Sequence, residues 1–308
     1  YSKIKKKLNY WNDGSFSSFD SSWDEEAKDA LKHFQKRHGL YPSGNITEET
    51  LTQLNVSKDY RLKQLRVNLE RARWFYKELG ENYVLVNLPE FKLFLYENGS
   101  LVETHDVIIG KQERATPILS STFNNLVINP TWTVPPTILK NDLVPKASAN
   151  RSYFVNNKIT IFDKKGKVVS PGSWDSENFK NYRYVQKPGG SNSLGLIKFN
   201  FPNDHMVYLH DTNNRTMFEH KKRDLSSGCV RVKDPFDLAT RILEIEGSDY
   251  DREKLDTLVA RGETKTIPLK KKVNVHQLYW TAWKNDQGVQ FRNDIYSLDD
   301  GLYKKLVN

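Results

Sequence analysis

Apolar residues recur at intervals of three and four through the first eighty positions, and at intervals of two through most of the remaining chain. Ile4, Leu8 and Trp11 predict an opening helix. Ser22-Trp23-Asp24-Glu25 has the Ser-x-x-Glu spacing in which a hydroxyl and a carboxylate each satisfy an orphan amide at a helix start. Ala27, Ala30, Leu31 and Phe34 then repeat at helical spacing and Gly39 predicts the stop. Thr47-Glu48-Glu49 opens a third helix with Leu51 and Leu54 on one face. Residues 60–79 predict a connecting helix with the stripe Leu62, Leu65, Leu69, Ala72 and Phe75, ended by Gly80. This divides the chain into a helical module over 1–57, a connecting helix over 58–80 and a second domain over 81–308.

Beyond residue 80 the period shortens. Residues 83–88 and 92–96 read as strands, Asn98-Gly99 as a tight hairpin turn that tolerates positive φ twice, and 101–109 as the return strand. Further β-type runs cover 125–129, 159–162, 196–199 and 206–209. Helical patterns cover 235–246 and 251–260. The runs 273–283 and 289–296, joined by Asp286-Gln287-Gly288, read as a closing hairpin. Between 136 and 190 the chain is polar and aromatic-rich with weak periodicity; a segment this long without regular structure is usually functional or mobile. The fold class is therefore α+β: a small three-helix module, then a mostly β domain with a long insert and two late helices.

Composition narrows the function. The chain has 308 residues, a length for about two domains, and 37% hydrophobic with 12% aromatic residues, enough to build a core. No apolar run approaches the roughly 18 to 20 residues of a membrane helix, and Tyr1 to Lys7 has no apolar signal core behind it. Lys+Arg 47 against Asp+Glu 38 gives a net charge of +9. The basic runs Lys5-Lys6-Lys7, Lys221-Lys222-Arg223 and Lys270-Lys271-Lys272 are scattered and carry no nucleic-acid motif, so no nucleic-acid partner is expected. His33 and His38, like His205 and His210, are five apart, which is not a zinc-protease spacing; no metal or cofactor is expected.

One cysteine excludes an internal disulfide and a Cys-cluster zinc site, leaving a buried thiol, an intermolecular bridge or a nucleophile. It stands in Leu225-Ser226-Ser227-Gly228-Cys229-Val230-Arg231-Val232, and Tyr208-Leu209-His210-Asp211-Thr212 ends a β-type run 19 positions earlier. Acyl chemistry needs a thiolate, a base that works near neutral pH and amides aimed at an oxyanion. Cys229, His210 and the Ser-Gly-Cys backbone have the right types, though linear spacing alone does not establish contact.

The stretch Ala30 to Leu40, the turn Pro42-Ser43-Gly44-Asn45-Ile46 and Thr47 to Leu54 resemble the peptidoglycan-binding three-helix module of bacterial wall enzymes. His210 with Ser226-Ser227-Gly228-Cys229-Val230-Arg231 resembles the signature of the L,D-transpeptidases. Asn129 to Thr137, Asn192 to Asn200 and Asp294-Ile295-Tyr296 extend the likeness to the long, YcbB-like branch of that family. Most members have His where Ser227 stands and Asn where Arg231 stands.

The resemblance implies a β-rich catalytic fold in which Cys229 attacks the third-residue carbonyl of a tetrapeptide stem, expels D-Ala and passes the acyl group to a diaminopimelate amine. His210 would be the base, oriented by the backbone carbonyl of Asp211, with Ser227 and Gly228 supplying oxyanion amides. It also implies a capping insert over about 138–188, with Trp132, Trp174 and Tyr208 as walls of the pocket. Arg231 would either bind a substrate carboxylate, steady the turn or sit in a structural ion pair. Expected partners are donor and acceptor stem peptides and carbapenem-type inhibitors, in an exported, periplasmic, wall-associated protein whose signal is not in this chain. A Cys/His wall hydrolase and a non-catalytic wall-binding protein are the alternatives.

Overall fold

Four helices open the chain in a computed structural model that describes residues 1–75 and 79–307: α1 (Ser2–Tyr10), α2 (Glu25–Arg37), α3 (Glu48–Leu54) and α4 (Lys58–Phe75). Positions 76–78 of the expected connecting helix lie outside the described residues. The cap of α2 is Asp24 rather than Ser22: its carboxylate accepts the Ala27 amide at 2.9 Å, while the Ser22 hydroxyl bonds to Asp20. A carboxylate one residue before the first turn also complements the helix dipole, so it displaces the neutral hydroxyl. Thr47 caps α3 through the Thr50 amide. Leu8, Ala30, Leu31, Phe34 and Leu54 pack as the core of the module, with Ile4, Phe16, Trp23 and Ile46 against it, whereas Leu51 is exposed.

On α4 the expected apolar stripe faces the wrong way. Leu62 and Leu69 are 54% and 65% exposed, and the buried face carries Arg61, Gln64, Val67, Asn68 and Arg71. The cause is the C-terminal segment, which supplies polar partners for that face. Arg71 pairs with Asp299 at 2.6 Å, Asn68 donates to Thr281 Oγ1 at 2.7 Å and accepts the Thr281 amide at 2.9 Å, and Gln64 donates to the Arg292 carbonyl at 2.8 Å. A buried polar face is tolerable only when each group finds such a partner.

Residues Tyr279–Asn308 accordingly form one compact unit with Tyr1–Glu78, and Leu79–Leu278 form the other. These units divide the chain after residues 78 and 278, whereas the expected second domain ran over 81–308. The run 273–283 is two pieces. Asn274–Leu278 is a strand of the large sheet, and Ala282–Asn285 pairs with Gly288–Phe291 as the hairpin of the helical unit.

In the second unit β1 (Tyr83–Asn87), β2 (Lys92–Glu97) and β3 (Ser100–Gly110) form a meander. Asn98 and Gly99 join β2 to β3 with φ of 49° and 75°, as the dipeptide requires. After β4 (Leu119–Thr122) and β5 (Asn125–Ile128) the insert builds its own four-stranded sheet, ordered β6 (Trp132–Thr133), β9 (Arg183–Gln186), β7 (Ile159–Phe162), β8 (Val168–Val169). Short helices and a π-helical turn at Leu139–Leu143 close it over a core that includes Val134, Leu143, Phe154, Ile161, Trp174 and Tyr184. The stretch expected to be irregular is thus folded; its elements are too short to carry a readable period.

The chain then returns to the large sheet through β10 (Ile197–Asn200), β11 (Leu209–His210), β12 (Asp224–Ser226), β13 (Val230–Val232), β14 (Lys265–Pro268) and β15 (Asn274–Leu278). Its order is β14-β5-β10-β11-β13-β3-β2-β1-β15-β4, with β12 on β3. Helices Pro235–Glu246 and Arg252–Arg261 lie where the periodicity predicts them. The architecture is a helical module with a mostly β domain, as the pattern of periods implied.

Candidate active site

Strand register assembles the site. β11 runs antiparallel to β10 with Lys198 opposite His210, and parallel to β13 with His210 opposite Arg231. Side chains two apart on a strand share a face, so Tyr208 joins His210, and Cys229 joins Arg231, on the face that Lys198 also occupies. The Val230 amide donates to the Tyr208 carbonyl at 3.2 Å and carries the pairing back to the level of Cys229. Parallel pairing thereby sets on adjacent strands two segments, those of Cys229 and His210, that the sequence separates by 19 positions.

The cysteine turn is held from both sides. Ser226 Oγ donates to the Cys229 carbonyl at 2.6 Å and accepts the Gly228 amide at 3.1 Å. Thr116 Oγ1 donates to the Gly228 carbonyl and accepts the Gly110 amide, each at 2.8 Å. Gly228 has a φ of 118°, a conformation that a side chain would strain. Its amide is committed to Ser226 Oγ, which corrects its assignment as an oxyanion donor. Arg114 Nη1 donates to Ser227 Oγ at 3.0 Å and pairs with Asp142 in the π-helical turn of the insert, so one guanidinium ties the Cys229 turn to the insert.

Burial sets the electrostatics. It pushes the half-buried Cys229 thiol above its usual pKa, against the opposing pull of the Tyr208 amide, the Lys198 ammonium, the Tyr208 phenol and Arg231. Burial also lowers His210, with Arg231 adding to the effect, to about 3. The carbonyls of Asp211 and Leu194 face the ring and hold the value up, yet Nδ1 closes no well-formed hydrogen bond with either. The imidazole is therefore neutral across the working range. Trp132 hydrogen-bonds the Tyr208 phenol, which in turn faces the thiol, and the Lys198 ammonium rests 3.8 Å from the centre of the Tyr208 ring.

The other expected residues divide. Arg231 reaches only Met217 Sδ at 3.1 Å, and its Nε is buried without a partner; among the described residues it has no carboxylate, so the structural ion pair is not found. The Asp211 carboxylate accepts the Leu196 amide at 2.9 Å and Arg215 at 3.3 Å, and packs where a Cβ on Gly195 would lie 2.4 Å from it. It anchors the turn before β10. Trp174 is corrected: it is 1% exposed, its indole N–H donates to Tyr184 Oη at 2.7 Å, and its ring meets Phe154 edge-on in the core of the insert. It has no surface to give a ligand. Lys198, Thr116 and the pair Arg114–Asp142 are site groups that pattern reading did not single out. Only Lys198 left a signal, as a cation between Ile197 and Phe199 inside a β-type run.

One face of the sheet thus carries a thiol, a neutral imidazole, a phenol and two cations, the residue types a cysteine enzyme uses. Comparison with known proteins narrows that class. Residues 81–287 match the YkuD family, an L,D-transpeptidase catalytic domain, and residues 2–54 match the family described as "Putative peptidoglycan binding domain". A curated relative from Haemophilus influenzae, named "Putative L,D-transpeptidase", is 38% identical over 257 residues, 82% of this chain and 52% of its own length. The chain thus spans about half the length of that relative. Similar solved structures include an L,D-transpeptidase from Stackebrandtia nassauensis, 16% identical with 90% of this chain and 89% of that chain covered at a TM-score of 0.29. An LD transpeptidase in complex with imipenem is 11% identical, with 64% and 59% covered at a TM-score of 0.30. The chain belongs to the L,D-transpeptidase catalytic-domain family.

Proposed function

We propose that this protein cross-links peptidoglycan stems by L,D-transpeptidation with Cys229 as nucleophile. The observation that supports this most directly is the β10–β11–β13 register, which puts the Cys229 segment and the His210 segment on neighbouring strands with their side chains toward one face. His210 takes the proton of Cys229, and the sulfur attacks the third-residue carbonyl of a tetrapeptide stem. The Cys229 and Ser227 amides receive the oxyanion. The tetrahedral adduct collapses, the carbon–nitrogen bond to D-Ala breaks, and the leaving amine takes the proton from His210. A diaminopimelate side-chain amine of another stem then attacks the thioester, giving its proton to His210 as sulfur departs. The Asp211 carbonyl orients the ring, and Arg231 and Tyr208 contact substrate, with Trp132 behind the phenol.

The insert over about 138–188 is a lid that keeps water from the thioester, a role supported by its tie to the nucleophile turn through Arg114. Residues 1–57 hold the wall polymer, in a wall-associated, periplasmic setting. Carbapenems acylate Cys229, as membership of the family implies. The test is incubation with a purified tetrapeptide muropeptide and mass spectrometry of the products. A cross-linked dimer formed with loss of D-Ala is the expected result. Tripeptide alone would replace the reading with a hydrolase, and unchanged substrate would overturn both.

A further inference from the structure

Lys198 takes no part in the chemistry above. It lies at the centre of the site face, opposite His210 in register and half-buried over the Tyr208 ring. Its strand neighbours Ile197 and Phe199 are buried on the other face, and its partner on β5 is Val127. Among the described residues no carboxylate lies within ion-pairing distance of Lys198 or Arg231. An ammonium withdrawn from water without a counter-charge is unfavourable and persists where an anion forms part of the time.

The charged and titratable groups around the thiol identify that anion. Lys198 acts on it from β10, Tyr208 from the residue before β11 and Arg231 from β13, and His210 shares their face. Nearby Asp142 and Asp211 are already balanced by Arg114 and Arg215. Burial lowers the pKa of the Lys198 ammonium and raises that of the Cys229 thiol, and each group's charge opposes the shift of the other. A proton placed on His210 would have to persist beside Arg231 in a buried setting that resists it. After the Tyr208 amide, the fixed cations on this face are the groups placed to stabilise sulfur as an anion.

We propose that Lys198 is a positioning residue for the nucleophile: its ammonium, held over the Tyr208 ring, is the fixed counter-charge of the Cys229 thiolate. Lys198 forms no bond and gives up no proton; the S–H proton leaves for His210 or for water, and the ammonium lowers the energy of the anion left behind. This rests on Cys229 as the nucleophile.

The experiment is alkylation of the single thiol by iodoacetamide, followed by intact mass against pH, in the full chain and its Lys198 variants. Lys198→Met should raise the midpoint of the rate profile by about one pH unit, slowing alkylation near neutrality roughly tenfold. Lys198→Arg should stay within a few tenths of a unit of the parent. If Lys198→Met unfolds, Lys198→Gln supplies the neutral variant, and cooperative thermal unfolding identifies which to use. An unmoved midpoint in the folded neutral variant overturns the proposal, as does an equal shift in Lys198→Arg. Alkylation is independent of turnover, so a Cys229→Ala variant that still cross-links stems would defeat the nucleophile assignment while leaving the Lys198 profile readable.

Discussion

The helical unit and the candidate site of the β unit treat buried cations in opposite ways. In the helical unit Arg37 grips Asp13 through Nε and Nη2, each at 2.7 Å, and Arg71 holds Asp299. Arg61 donates to Gln64 at 2.9 Å and Gln53 at 2.7 Å. In the β unit Lys198 and Arg231 face a thiol and no carboxylate. The histidines repeat the contrast. His38 and His210 are both lowered to about 3 by burial, but His38 Nδ1 bonds the Phe34 carbonyl at 2.8 Å and its ring stacks on Phe34 and Phe291. His210 Nδ1 has no such partner. Polar groups that hold a fold together are satisfied by the chain, whereas those that do chemistry are left for the reacting species to complete.

That contrast can be broken at several points. The largest effect belongs to Cys229→Ala, which should cut dimer formation by more than about a thousandfold with the unfolding midpoint unchanged. Residual cross-linking near the parent rate would remove Cys229 from the chemistry.

Removing one cation from each unit compares them directly. Arg71→Met strands the buried Asp299 carboxylate and should destabilise by about 3–5 kcal/mol. Arg231→Met removes a charge with no carboxylate partner and should leave stability level or slightly higher while acylation slows. Urea denaturation of both variants reads the difference; equal losses would mean that Arg231 is as structural as Arg71.

A smaller effect concerns pH. Both histidines stay neutral in the folded chain, whereas unfolded histidine takes a proton below about 6.5. The unfolded state thus binds more protons between about pH 6.5 and 3, so stability is full above 6.5 and falls as the solution is acidified. His38→Gln should flatten the fall in melting temperature between pH 6.5 and 4. A slope identical to the parent's would show that His38 is protonated with no cost to the fold.

The smallest effect is expected at Arg114. Arg114→Ala frees Ser227 and Asp142 and should raise the ratio of tripeptide to dimer about threefold. An unaltered product ratio would separate the insert from control of water.

Much of this was legible in the chain alone. Helical period placed α1 to α3, Asn98-Gly99 placed a hairpin turn with two positive φ values, and the Cys229 and His210 segments marked the candidate site. These features are local: a period, a dipeptide or a short motif states its own geometry. What tertiary structure alone decided involves partners far apart in sequence. The polar face of α4 is buried because residues 279–308 return to satisfy it, against the stripe that its own leucines predict. Trp174 is core because short strands of the insert close around it. The Gly228 amide is spent on Ser226, and Lys198 becomes part of the site only when β10 pairs with β11 in the register that sets it opposite His210. Period reports which face a segment could bury, but register and long-range partners decide which face it does bury and which charges are left without a mate.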